Sequence, residues 1–146
     1  MTTAKISLYF LGTDEFAATV LTRLLGDVRF EVLGVITPPD KKVGRHQVLT
    51  PCEVKKLALE VGLEVGHDHR DLIGKDVDFL VAVSYGYFLP DEVLAVPRVE
   101  SLNVHASLLP KYRGASPVQA VLLGGDEVTG VSVMRMVKKM DAGAVF

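Results

Sequence analysis

The stretch ISLYFLGTDEF, residues 6–16, decides the class of fold. Its first six residues are apolar apart from Ser7, which is typical of a strand buried on both faces of a parallel sheet. Gly12, Thr13 and Asp14 end this strand and can cap a helix that begins near Glu15. A buried strand that turns directly into a helix predicts an α/β fold.

The same alternation of strands and helices continues along the chain. Short apolar runs rich in valine, isoleucine and aromatic residues predict further strands at 30–36, 79–83, 102–105 and 130–136. Helical patterns lie near residues 51–61, with Thr50 as the cap and Pro51 at the first helical position, and near residues 116–123. The sequence therefore predicts an open, mostly parallel, Rossmann-like sheet with helices on both faces.

Size and charge narrow the class of protein. The chain has 146 residues, which suits one domain, and it is 49% hydrophobic. Its net charge of -2 disfavours a protein that coats nucleic acid, so any such contact must be local. Cys52 is the single cysteine, which excludes an internal disulfide, and no apolar stretch reaches the roughly 20 residues that span a bilayer. Because the N-terminus also lacks the pattern of a secretory signal, we expect a cytoplasmic protein with no membrane partner.

Two polar side chains stand at the end of one predicted strand, in the run NVHASLLPKYRG (103–114). Asn103 and His105 share one side of the strand because side chains alternate. Ligands of open α/β sheets bind beyond the carboxyl ends of the strands, so this position favours a site over a structural histidine. Asp141 follows the next strong strand and reaches the same crevice if the two strands are neighbours.

A second candidate is the loop 37–49, which is longer than the connections usual in α/β folds. It carries Lys41, Lys42, Arg45 and His46 against a single acid, Asp40. A solvated surface loop and a phosphate or RNA contact are both compatible with this charge.

Other chemistries are disfavoured. The first turn lacks the three glycines of a dinucleotide-binding fingerprint, and its carboxylates would repel a phosphate. His67 and His69 are close in sequence, but no cysteine lies near them, so a solvated loop is favoured over a metal site.

Several of these stretches occur together in one known family. HASLLPKYRGASPVQ (105–119), with Asn103 before it and MDAG (140–143) after it, resembles the signature of the 10-formyltetrahydrofolate-dependent formyltransferases. FLGTDEFA (10–17), PDKKVGRHQVLTPCEVK (39–55) and YGYFLP (85–90) are similar to further segments of the family. The matches are colinear, span nearly the whole chain and are most similar to the branch of the family that acts on methionyl-tRNA.

The resemblance implies transfer of a formyl group from 10-formyltetrahydrofolate to the amino group of methionyl initiator tRNA, for translation initiation and without a metal. It implies that Asn103 donates a hydrogen bond to the developing oxyanion, that His105 assists proton transfer or stabilises the oxyanion, and that Asp141 holds the imidazole. The folate site implied by the family comprises Tyr85, Gly86, Tyr87, Phe88, Leu89, Ser107, Leu108, Leu109 and Pro110. The tRNA contacts so implied are Lys41, Lys42 and Arg45.

Alternatives stay open at this point. A sugar-amine formyltransferase shares much of the signature, and a glycinamide ribonucleotide formyltransferase is disfavoured because its glycine-rich phosphate turn is missing. A truncated, catalytically weak folate-binding module is the alternative from another class.

The sequence departs from the family pattern in three respects. Asp14 stands where many members have proline, and Cys52 replaces a common serine. The chain ends at Phe146, so we expect residues 1–146 to be the N-terminal portion of the catalytic domain, without the C-terminal β-barrel-like domain that helps hold tRNA. We then expect the last strand of the sheet and its covering helices to be missing or replaced by a partner chain, which would expose a sheet edge, and we expect tRNA affinity to be impaired. The complete protein is expected to be a monomer.

Overall fold

Six strands form the central sheet of this computed structural model, which describes residues 4–146. The strands are β1 (Ile6–Gly12), β2 (Phe30–Ile36), β5 (Glu64–Gly66), β6 (Phe79–Val83), β7 (Glu100–His105) and β8 (Ser132–Arg135). Their order across the sheet is β5-β2-β1-β6-β7-β8. All neighbours pair in parallel except β7 and β8, which are antiparallel. The predicted open, mostly parallel sheet is confirmed.

Helices cover both faces of the sheet, as predicted. Helices α1 (Glu15–Gly26) and α2 (Glu53–Glu60) pack on one face around Phe10 and Leu21, neither of which is exposed. A 3-10 helix (His69–Leu72) and helix α3 (Asp91–Leu94) cover the other face. Because consecutive residues of β1 face opposite sides, the apolar run 8–11 supplies both cores.

The turn after β1 behaves as the sequence predicts. Asp14 is the N-cap of α1, and its carboxylate accepts a hydrogen bond from the Ala17 backbone N–H at 2.9 Å. Gly12 is required at the end of β1, since a Cβ there would lie 2.9 Å from both the Ala17 Cβ and the Val83 carbonyl oxygen. The first helix therefore packs directly against the end of the strand.

The segment 37–61 differs from the prediction in two ways. The long loop contains an antiparallel hairpin made of β3 (Lys41–Val43) and β4 (Val48–Thr50). The N-cap of α2 is Cys52, which makes no side-chain capping bond, so the predicted cap at Thr50 is wrong. Thr50 belongs to the hairpin instead, and α2 begins at Glu53, two residues after the predicted first helical position, Pro51.

The last part of the chain forms a helix and the edge strand β8. Helix α4 (Pro117–Gly124) begins after Ser116, close to the predicted start, and β8 is shorter than the predicted strand 130–136. Met134 of β8 forms an antiparallel bridge with Val145, so residues 144–146 lie along the outer side of this strand. Within the described part of the chain, no helix has the length and apolar character needed to cross a membrane.

Candidate active site

A cleft of about 460 Å³ opens at the carboxyl ends of β1, β6 and β7. Strand β8 runs in the opposite direction, so its first residue, Ser132, pairs with the last residue of β7, His105. The cleft is lined by the predicted polar residues and by a larger apolar and aromatic set: Asn103, His105, Asp141, Asp14, Phe16, Tyr85, Tyr87, Phe88, Leu94, Met134, Met136 and Met140 among others. This combination of apolar walls and few polar groups is typical of a small-molecule site.

His105 is held at the bottom of the cleft with only 6% of its surface exposed. Its Nε2 atom lies 2.9 Å from the Tyr112 carbonyl oxygen, so Nε2 carries a proton and donates to that carbonyl. Its Nδ1 atom faces the Asp141 carboxylate, with 3.8 Å between Nδ1 and Oδ2. That distance is too long for a hydrogen bond, and a proton gained by the imidazole during a reaction would bring a positive charge within reach of the carboxylate.

Asp141 reaches His105 through a turn that reverses the chain after β8. Its side chain is 10% exposed, and Oδ2 accepts a hydrogen bond from the Gly114 backbone N–H at 2.8 Å. Asp141 also adopts a positive φ of 49°, a conformation that aspartate tolerates better than most residues. The carboxylate therefore connects the turn after β7 to the turn after β8.

Asn103 occupies the same wall of the cleft, two residues before His105. Its backbone lies between Ala82 of β6 and Met134 of β8, which fixes its place in the sheet. Within residues 4–146, its side-chain amide makes no hydrogen bond to the protein. An amide oriented by a central strand, with its N–H groups uncommitted, can donate to a ligand in the cleft.

The loop after β6 forms another wall, and all five residues 85–89 line the cleft. Leu89 is buried, whereas Tyr87 and Phe88 are 50% and 59% exposed. Burial, together with the nearby Tyr87 and Asp68, raises the pKa of the Tyr85 hydroxyl to about 12. Tyr85 is therefore a neutral phenol, 3.3 Å from the Nδ1 atom of His69.

The other predicted folate residues lie outside the lining of the cleft. Ser107 is fully buried, and its hydroxyl donates to the Lys111 carbonyl oxygen at 2.7 Å. The Ser132 hydroxyl donates to the Ser107 carbonyl at 2.7 Å and accepts from the Leu109 N–H at 3.0 Å. Residues 107–110, which include the half-exposed Leu108 and the exposed Pro110, therefore shape the turn that carries the Tyr112 carbonyl. Their contact with folate stays a prediction.

The three basic residues expected to meet tRNA are on the hairpin. Lys41 and Lys42 belong to β3, Arg45 lies in the turn, and all three are exposed. None of the three is among the residues that line the cleft, so the basic hairpin and the cleft are separate features of the surface.

Sequence reasoning missed several residues of the cleft. The Tyr112 carbonyl and the Gly114 N–H are backbone groups, which carry no side-chain signal. Asp14 was assigned only to helix capping, yet it also lines the cleft. Met134 could have been found from the alternation along β8, because it occupies an inward-facing position there. No cluster of three or more potential metal-ligating side chains occurs within the described residues.

A mostly parallel α/β sheet with an amide, an imidazole and a carboxylate in the cleft at its carboxyl edge defines a Rossmann-like protein with a polar candidate site. The chain belongs to the formyl transferase family, whose model matches residues 4–146. The family predicted from the sequence motifs is confirmed.

Known proteins agree with this assignment. The chain is 43% identical over 145 residues to a curated methionyl-tRNA formyltransferase of Pediococcus pentosaceus, covering 94% of this chain and 45% of that protein. It is 42% identical to the enzyme of the same name from Staphylococcus aureus, covering 93% of this chain and 46% of the relative. The chain thus spans about half the length of the curated relatives it matches.

Solved structures share the fold. Glycinamide ribonucleotide transformylase 1 from Symbiobacterium toebii superposes with a TM-score of 0.75 at 20% identity, covering 97% of this chain and 71% of that one. A sugar 3N-formyltransferase, solved in the presence of dTDP and 5-N-formyl-tetrahydrofolate, superposes with a TM-score of 0.69 at 19% identity, covering 98% and 50%. At these identities the likeness establishes the fold alone.

Proposed function

We propose that this chain takes part in transferring a formyl group from 10-formyltetrahydrofolate to the amino group of methionyl initiator tRNA. The observation that carries the proposal is the convergence of Asn103, His105 and Asp141 in one cleft, in a chain 42–43% identical to curated methionyl-tRNA formyltransferases. The volume of the cleft, about 460 Å³, lies within the range usual for small-molecule sites.

The proposed reaction needs an oxyanion donor and a route for one proton. The amine nitrogen bonds to the formyl carbon, a tetrahedral oxyanion forms, and breakage of the bond between that carbon and N10 of the folate releases the product. The Asn103 amide, which makes no competing hydrogen bond within the described residues, donates to the oxyanion. The amine loses a proton and N10 gains one, so the reaction is balanced.

His105 is suited to handling this proton. Its Nε2 atom is committed to the Tyr112 carbonyl, which leaves Nδ1 as the atom that can exchange a proton. A proton at Nδ1 makes the ring positive, and the Asp141 carboxylate at 3.8 Å offsets that charge. His105 and Asp141 are therefore proposed to act together, His105 on the reacting atoms and Asp141 through the ring.

The remaining proposed contacts involve the loop after β6, the turn after β7 and the basic hairpin. Backbone groups of residues 85–89 would bind the pteridine, with residues 107–110 bordering the transferred group. Lys41, Lys42 and Arg45 would attract the tRNA phosphates, an interaction that weakens with added salt. We further propose that residues 1–146 form the N-terminal portion of the catalytic domain and that the rest of the length of the relatives adds to tRNA affinity.

To test the proposal, the protein is mixed with 10-formyltetrahydrofolate and charged initiator tRNA, and the loss of 10-formyltetrahydrofolate is measured over time. We expect consumption of the donor that requires the tRNA and is abolished by His105→Ala, while thermal unfolding confirms that the variant is folded. Activity that survives His105→Ala would overturn the catalytic assignment. Binding of the folate without consumption of its formyl group would favour the folate-binding module.

A nucleotide or an amino sugar is the alternative acceptor of the formyl group, because the structures that share this fold include glycinamide ribonucleotide and sugar formyltransferases. Parallel reactions with glycinamide ribonucleotide and an amino-sugar nucleotide distinguish the classes. We expect neither to be formylated at the rate of the charged tRNA, since Asp14 and Glu15 at the start of α1 would repel a nucleotide phosphate.

A further inference from the structure

The basic hairpin projects from the protein without a packed face. Every residue from 41 to 49 is exposed, including the apolar Val43, Val48 and Leu49. An isolated two-stranded hairpin is marginally stable in water, so packing of its own side chains does not set its orientation. The orientation must be fixed where the hairpin joins the rest of the fold.

A short ion pair stands at the first of these junctions. Asp40 immediately precedes β3, and its Oδ1 atom lies 2.7 Å from the Nζ atom of Lys55 in α2. The Lys55 side chain is 17% exposed and that of Asp40 is 32% exposed, so both are largely withdrawn from water. A pair in this environment is screened less than a surface pair.

The same lysine is connected to the sheet through His67. Its Nζ atom lies 3.4 Å from the His67 Nε2 atom, while the His67 Nδ1 atom lies 3.0 Å from the Thr37 carbonyl oxygen. Nδ1 therefore donates to Thr37, and the unprotonated Nε2 accepts from the ammonium. Thr37 is fully buried at the end of β2, and its N–H bonds to the Gly66 carbonyl of β5 at 2.9 Å. Hydrogen bonds thus run from the edge of the sheet, through an imidazole and an ammonium, to the root of the hairpin.

We infer that Lys55 is a positioning residue that fixes the hairpin in the orientation needed to meet RNA. The inference rests on the proposed function, because it assigns Lys55 to the hairpin proposed to contact tRNA. Lys55 performs two tasks there: it ties Asp40 to α2, and it neutralises the single acid beside Lys41, Lys42 and Arg45. Its role is exerted through Asp40 and not by touching the nucleic acid.

The direction in which Asp40→Asn changes RNA affinity distinguishes an anchoring role from a purely electrostatic one. If Lys55 contacted phosphate directly, or if only net charge mattered, Asp40→Asn would strengthen RNA binding by removing a negative charge. If Asp40 is the anchor of the hairpin, the same substitution weakens RNA binding despite the more favourable charge.

The neighbouring pair in the same helix supplies matched controls. Lys56 Nζ lies 2.6 Å from Glu53 Oε1, both side chains are about half exposed, and within the described residues neither side chain bonds to residues 40–50. Lys56→Met therefore removes the same charge as Lys55→Met, and Glu53→Gln removes the same charge as Asp40→Asn. Lys55→Arg keeps the cation and is the rescue variant.

Two measurements are made on each variant of the full 146-residue chain: affinity for labelled initiator methionyl-tRNA by fluorescence anisotropy, and NMR order parameters of the hairpin amides. We expect Lys55→Met and Asp40→Asn each to weaken tRNA binding about fivefold beyond their charge controls. Both should lower the order parameters of residues 41–50, whereas Lys56→Met and Glu53→Gln should leave them unchanged, and Lys55→Arg should restore most of the affinity.

Three results would overturn the inference. Asp40→Asn that binds tRNA as tightly as the parent or tighter would exclude an anchoring role, as would order parameters unaffected by both Lys55→Met and Asp40→Asn. A looser hairpin with unchanged tRNA affinity would show that its orientation does not matter for RNA. If the parent chain binds no tRNA, the proposed RNA contact fails, and the order parameters alone decide whether Lys55 anchors the hairpin.

Discussion

Gly143 lies where the chain turns back towards His105, and Gly143→Ala is expected to displace Asp141. A Cβ atom at this position would overlap the Arg135 carbonyl oxygen and lie 2.9 Å from its carbonyl carbon. Backbone atoms cannot rotate out of the way as a side chain can, so the two segments must separate. The Arg135 N–H to Ala144 carbonyl hydrogen bond, now 2.8 Å long, closes the same turn and would be broken.

The size of the effect follows from these contacts. The new Cβ would have to move from 2.9 Å to about 3.5–4.0 Å from the Arg135 carbonyl carbon, the separation that unbonded carbon atoms prefer. This requires a shift of about 1 Å. Overpacking together with loss of the Arg135–Ala144 bond and of the Asp141–Gly114 bond costs about 3 kcal/mol. That cost lowers Tm by about 10 °C, and a displacement of about 1 Å at the site lowers turnover about 100-fold.

Thermal unfolding and the donor-consumption assay measure the two effects separately. Gly26→Ala is the matched control, since a Cβ at Gly26 meets nothing within 4 Å, and it should leave turnover unchanged and Tm the same or slightly higher. A Gly143→Ala protein with parental Tm and parental turnover would refute the argument that close backbone approach positions Asp141.

Three further substitutions address the cleft and the hairpin. Asn103→Ala should lower turnover by about 100-fold to 1,000-fold with little change in the KM for the folate, because the lost donor acts on the oxyanion; a change confined to KM would contradict that role. Burial raises the pKa of Tyr85 to about 12, above its unfolded value of about 10, so the neutral phenol stabilises the fold below pH 10, and about 2–3 kcal/mol is lost as the pH rises from 10 to 12. Urea unfolding of Tyr85→Phe should lack this alkaline decline, and an equal decline in both proteins would exclude Tyr85 as its source. Arg45→Ala should weaken tRNA binding and reduce the slope of log K against log salt by about 0.9, whereas Lys75→Ala, remote from the hairpin in sequence, should change neither; an unaltered slope would remove Arg45 from the phosphate contacts.

Sequence reasoning succeeded where a local run of apolar residues or a capping residue determines the conformation of the backbone. Strands β2 and β6 have the predicted bounds, and Asp14 caps α1 as predicted. The short elements β5 and α3 were not predicted, because three or four residues show too little periodicity to be recognised as a strand or a helix. Thr50 was assigned to a cap because the antiparallel pairing that holds it in β4 depends on Lys41, nine residues earlier.

The sequence by itself determined the family, the parallel sheet and the identity of the polar groups, because apolar runs, caps and colinear motifs are local features. Only the tertiary structure decided how these groups meet. Strand β8 is antiparallel, so its C-terminal end points away from the cleft, and Asp141 reaches His105 because the chain doubles back beside Arg135. The backbone groups that hold the imidazole and the carboxylate come from the turn at 112–114, and their positions depend on contacts between segments far apart in sequence.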